Sequence, residues 1–307
     1  MAKPAGMIGG TAGADDMCAQ SATDAGLPGH YRAWISTAGM PALLRLGSAR
    51  GWTRLDGLPF ADTIGDLVAG RIFNPLRLDE RATDVGDGGF LVATGTHDDG
   101  QQADNCNDFT GGATGLFGDA SATKGTWTEA AVHSCTEVTR LYCFGTDLRT
   151  PVAQPTETGR LAFLTNSNFS PSGGLAKADE LCNTEAHTTD RFAALLSTTK
   201  IAAGSRFSSG TPWVRPDHVL VTRDLNDFPA PINVTLDGGY VQSAVWTGAG
   251  ATNSTSGGID ESCNDWTSSD ATSTAAIGAS ESSGRHVFFY STMFECNQPR
   301  PIYCLER

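Results

Sequence analysis

The sequence predicts an α+β protein of two tandem domains, each a small sheet with one or two helices and long loops stapled by two disulfides. Three observations predict it. One stretch occurs twice, eight cysteines divide four and four at matching positions, and short apolar runs alternate with Gly, Ser, Thr, Asn and Asp. The doubled stretch is Asn105-Cys106-Asn107-Asp108-Phe109-Thr110 and Ser262-Cys263-Asn264-Asp265-Trp266-Thr267. Each copy is followed by a cysteine pair with seven residues between its members, Cys135 and Cys143 or Cys296 and Cys304. Each is preceded, far upstream, by a single cysteine, Cys18 or Cys182. A chain of 307 residues suits two domains at roughly 100 to 200 residues apiece.

In chain order, the first copy spans 1–146, a linker 147–159 and the second copy 160–307. Gly9-Gly10 and Gly173-Gly174 each open a helix-like segment that carries the upstream cysteine. Asp15 and Asp16, like Asp179 and Glu180, fall near the start of that segment, where a helix dipole favours negative charge. Tyr31 to Ser36 matches Phe192 to Ser197 as a short apolar strand, and Arg45 through Asp56 matches Arg206 through Asp217 without a gap. Leu78-Asp79 pairs with Leu236-Asp237, and Ala93-Thr94-Gly95 with Trp246-Thr247-Gly248.

One element has no counterpart. Arg160 to Thr165 reads as a strand by its apolar and β-branched content, whereas the first copy offers only Met1 to Met7 at that place. A domain without its first strand leaves a neighbouring strand with unpaired backbone groups. The expectation is therefore that upstream residues are missing or that another segment fills the gap. The linker carries Pro151, Pro155 and several threonines and reads as extended, with no packing demand.

The formal net charge is -13 and no two Lys or Arg are adjacent, so the surface repels phosphate. Nucleic acid, polyanions and anionic membranes are poor partners for it. No apolar run approaches the ~18 residues of a membrane span, so no membrane insertion is expected. The cysteines lack the close C-x2-C pairs of zinc sites and point to disulfides, hence to an oxidising compartment: extracellular or at the cell surface. Met1 to Gly6 has no apolar core, so a secretory signal segment is not in this sequence.

Four cysteines allow three pairings, and spacing alone does not choose among them. The skeleton resembles the C-type lectin-like fold. The resemblance rests on a Cys in an early helix, the Trp246-Thr247-Gly248 strand, a third-strand cysteine beside an aromatic residue, and the closing Ile302-Tyr303-Cys304-Leu305-Glu306. It implies Cys18 bonded to Cys143, Cys106 to Cys135, Cys182 to Cys304 and Cys263 to Cys296. The Gly-Gly-x-Ala-x-Ala-Asp openings and the Trp-x-Arg segments at Trp52 and Trp213 look most like the bacterial endostatin-like domain family, in two tandem copies. The better-studied members of that group are lipoproteins that bind host matrix and complement proteins. This chain departs from it in lacking a lipid-attachment cysteine at the start. It also lacks the histidine-rich, zinc-binding N-terminus of vertebrate endostatin, and its acidic balance contradicts a heparin-binding face.

The Asn-Asp after each third cysteine invites a calcium reading, with Asp98, Asp99 and Asp104 nearby in the first copy and Asp260 and Glu261 in the second. Calcium needs about six to eight oxygens converging at roughly 2.4 Å, which two adjacent residues cannot supply. Solvated loop carboxylates are the favoured reading, and no cofactor is expected. Trp246 and Trp266, repeated at matching positions, are read as core. Trp127 has no counterpart and is the surface candidate for ligand binding, together with Asp260, Glu261 and Asp265. The histidines fall at unmatched positions, and neither a Gly-x-Ser-x-Gly elbow nor a phosphate loop is present, so no catalytic residue is expected. The sequence thus points to non-enzymatic extracellular recognition of a protein or glycan by loops on a cross-linked frame. Two alternatives stand beside it: a calcium-dependent glycan-binding lectin, and a self-associating structural subunit of a surface layer or filament, in which a donated strand completes the first domain.

Overall fold

The computed structural model describes residues 2–85, 91–290 and 292–307, without the side chain of Ile259. The chain divides into two compact units, Met1–Gln154 and Pro155–Arg307. Both mix short helices with small sheets. In the first unit β1 (Lys3–Pro4) leads to helix α1 (Gly10–Asp24), β2 (Tyr31–Ala33), the helical turn α2 (Ala42–Arg45), β3 (Trp52–Thr53), β4 (Pro59–Ala61), α3 (Ile64–Val68) and β5 (Leu91–Ala93). Then come the turn α4 (Cys106–Phe109), β6 (Thr114–Asp119), β7 (Ala131–Ser134), β8 (Val138–Thr139) and β9 (Cys143–Gly145). In the second unit the order is β10 (Arg160–Leu164), α5 (Gly174–Glu185), β11 (Phe192–Ala194), β12 (Trp213–Val214), β13 (Leu220–Thr222), β14 (Ala244–Trp246), α6 (Cys263–Trp266), β15 (Thr274–Ala279), β16 (Met293–Glu295) and β17 (Tyr303–Glu306).

Helices α1 and α5 bury the same stripe. Ala14 and Cys18 face the core in one, Ala178 and Cys182 in the other, the i, i+4 spacing of one helix face. Asp15 and Asp179 sit in the second turn of their helices, not at the N-terminus. There they bridge helix to strand: Asp15 accepts from the amide of Ala33 (3.0 Å) and from Arg45 (2.5 Å), and Asp179 from the amide of Ala194 (2.9 Å) and Arg206 (2.5 Å). A carboxylate that satisfies a strand amide and a buried arginine together has a use that the dipole argument does not anticipate.

The units differ at one strand. In the second, β10 lies between β17, antiparallel, and β12, parallel, and so completes the five-stranded order β11-β17-β10-β12-β13. In the first, β2-β9 and β3-β4 are separate two-stranded sheets, and no described strand joins β9 to β3. β1 pairs instead with β8, Lys3 opposite Thr139. A second small sheet is common to both units, β5-β6-β7 and β14-β15-β16.

Four disulfides join Cys18 to Cys143, Cys106 to Cys135, Cys182 to Cys304 and Cys263 to Cys296. Cys106 and Cys263 lie not in a strand but in α4 and α6, each a single left-handed turn. All four residues of each turn have positive φ, from 50° to 59° in Cys106–Phe109 and from 51° to 66° in Cys263–Trp266. An L-residue in that region costs roughly 1–2 kcal/mol, so the turn persists only because its surroundings fix it. The side chains of Asn105 and Ser262 accept from the amides of Asp108 and Asp265. Asp108 and Asp265 in turn accept from the amides of Ala38 and Thr199, both at 2.8 Å. The carbonyl of Ser36 receives the Asn105 amide (3.1 Å), whereas its counterpart Ser197 receives the Trp266 indole N–H (2.8 Å). The same backbone oxygen is satisfied by two different residues of the motif.

The stretch expected to be an unpacked linker is partly built into the first unit. The amide of Arg50 donates to the carbonyl of Leu148 (3.3 Å), Val152 is buried, and its amide donates to Asp62 (2.9 Å), which also pairs with Arg50. Gly51, at φ +79°, lets the Thr150 carbonyl pass where a Cβ would clash.

Candidate functional site

The first unit contains a cavity of about 360 Å³ between α1, β3 and β9. That lies in the range of small-molecule and peptide sites. Residues Met17, Cys18, Ser21 and Ala22, one face of α1, form one wall, and the Cys18–Cys143 disulfide ties that wall to β9. Trp52, Phe60, Tyr142 and Phe144 form the floor. Their rings pack on one another: Trp52 meets Phe144 edge to face at 5.3 Å and 90°, and Phe60 lies tilted 5.8 Å from Phe144. The indole of Trp52 donates to the carbonyl of Gly145 (3.0 Å), and the hydroxyl of Tyr142 to that of Trp127 (2.8 Å). Burial, with the charge of Asp119 behind it, drives the Tyr142 hydroxyl well above the usual phenol range, so it stays a neutral donor.

The mouth carries charges of both signs, Asp79, Glu80 and Asp147 beside Arg54 and Arg140. Asp147 accepts from the amide of His30 (2.7 Å) and from its ring (3.0 Å), and these hydrogen bonds hold its carboxyl below the usual range. Burial, then Asp147, pushes the Tyr31 hydroxyl up. At Asp79 burial opposes ionisation, but hydrogen bonds from the amides of Thr83 and Arg81 and the charge of Arg140 outweigh it and lower the carboxyl. An apolar trough rimmed by charges of both signs suits an apolar ligand that carries a polar end.

The residues singled out from the sequence lie elsewhere, and one of those assignments is overturned. Trp127 is not a surface residue: it is 1% exposed and packs on Trp34 (5.1 Å), Phe60 and Tyr142. A large ring without a counterpart in the other copy is here core that the first unit supplies on its own account. Trp34, Trp52, Trp213, Trp246 and Trp266 are buried as well. Asp265 has both carboxylate oxygens engaged, one by the Thr199 amide and the other by its hydroxyl (2.8 Å), and serves to hold the left-handed turn. Glu261 accepts from the amide of Gly257 (2.7 Å), and Asp260 is exposed.

Asp98, Asp99 and Asp104 are exposed too. Asp99 accepts from the amide of Gln101 (2.9 Å) and Asp104 from the hydroxyl of Thr114 (2.7 Å). Among the described residues no three His, Cys, Asp or Glu side chains gather so as to hold a metal ion.

Residue by residue, the sequence does not reveal the cavity, because its floor consists of ordinary core aromatics. No helix among the described residues is long and apolar enough to cross a membrane. Compared with known proteins, the chain matches no protein-family profile and no curated protein.

Proposed function

We propose that this chain is a non-enzymatic extracellular recognition protein, two C-type lectin-like domains of the endostatin-like kind in tandem, whose binding site is the cavity of the first unit. The observation that carries the reading is the trough itself, open and aromatic-floored, with charges of both signs at its rim. Four disulfides fit an oxidising compartment. Rigid walls cross-linked by Cys18–Cys143 pre-organise the site, which lowers the ordering cost of binding. The recognition surface is thereby assigned to the groove and not to the long loops.

The test is an array of extracellular proteins and glycans probed with the full chain and with Thr53→Trp, which puts an indole into the mouth from an exposed position on β3. Binding that is strong in the first, lost in the second and indifferent to calcium is the expected outcome. A calcium-dependent signal that Thr53→Trp leaves intact would sink the reading in favour of a lectin. A structural subunit is favoured by one observation, the edge of β9 that no described strand covers. It would show concentration-dependent assembly in sedimentation and silence on the array.

A further inference from the structure

We draw no further inference here: the strongest candidate, the Arg300 guanidinium stacked 4.0 Å over the ring of Phe294 on β16 of the second unit, with its Nε and the Nε1 of neighbouring Trp246 both lacking a hydrogen-bond partner, carries nothing, because packing seals both nitrogens from solvent and nothing in the structure shows a ligand that would reach them.

Discussion

The two units carry one plan, and they differ in whether a described strand fills the centre of the sheet. In the second, Arg160–Leu164 sews two apolar clusters together and closes a five-stranded sheet. In the first, the equivalent clusters face each other across about 360 Å³ of open trough. The walls nevertheless keep their places, because the helix is bonded to β9 through Cys18–Cys143 and the Trp52 indole still reaches the carbonyl after Phe144. The matching indole of Trp213 donates to Glu306 (2.9 Å). The lesson is that a covalent brace and a ring of locked aromatics can hold a sheet open at its middle, where backbone pairing does that work in the sister unit.

The largest effect expected from breaking this comparison comes from the long disulfides. Each closes a loop of similar length, with sequence separations of 125 and 122, so the chain-entropy estimate is the same, about 5 kcal/mol. The consequence should not be. Cys18→Ser with Cys143→Ser is expected to melt the first unit below 37 °C, whereas Cys182→Ser with Cys304→Ser leaves the second folded on the strength of β10. Calorimetry of the full chain carrying either pair of substitutions reads the two losses; equal losses would refute the contrast.

Next in size is the buried ion pair of the Trp-x-Arg segment. Arg215 is fully buried against Asp217 (2.7 Å), with Tyr240 donating to the same carboxylate (2.6 Å). In the first unit Arg54 and Asp56 make the matching pair, with Asp56 more open to solvent. Burial raises the Asp217 carboxyl, but Arg215 and the hydrogen bonds outweigh it, so the net shift is downward. A depressed folded value means stability that is present above the unfolded value near 3.8 and lost as the pH falls through the folded one. Asp217→Asn is expected to cost about 2–3 kcal/mol at pH 7 and to flatten the acid limb of the second unit's urea midpoint. Asp56→Asn should cost about 1 kcal/mol or less. An unchanged acid limb in Asp217→Asn would show that other carboxylates set it.

The smallest effect separates the two left-handed turns. Ser262→Ala removes one cap and should cost about 1 kcal/mol. Asn105→Ala removes the cap and also orphans the Ser36 carbonyl, and should cost about 2 kcal/mol. Denaturant melts of the two variants check the order, and a larger loss for Ser262→Ala would reverse the assignment.

The duplication, the helix that carries Cys18 or Cys182 and the unmatched strand at Arg160–Leu164 are legible in the sequence, because each is a matter of order and spacing. What is not legible depends on convergence. Asp15 and Asp179 read as dipole partners and in fact clamp strands, since a carboxylate's partner lies at the far end of a fold. Trp127 reads as exposed because it has no match, yet one copy of a duplicated core can recruit a ring that the other does without. Asn107 and Asp108 suggest ligand oxygens; both residue types tolerate the left-handed backbone, but the turn also includes Cys106 and Phe109 and is fixed by the disulfide, the Asn105 cap and the Ala38 amide. The groove is not legible either, because its aromatic floor, Trp52, Phe60, Tyr142 and Phe144, is indistinguishable from core.

The paired solutions at Ser36 and Ser197 have a consequence for anyone exchanging parts between the halves. In one, an amide at the head of the turn reaches that oxygen; in the other, an indole at its tail does. Transplanting Trp266 to position 109 alone would place an indole where the phenyl ring of Phe109 now packs beside Gly95. Transplanting Phe109 to position 266 alone would leave the Ser197 oxygen without its donor. The five-residue blocks 105–109 and 262–266 are therefore units of inheritance: they travel whole or they do not travel.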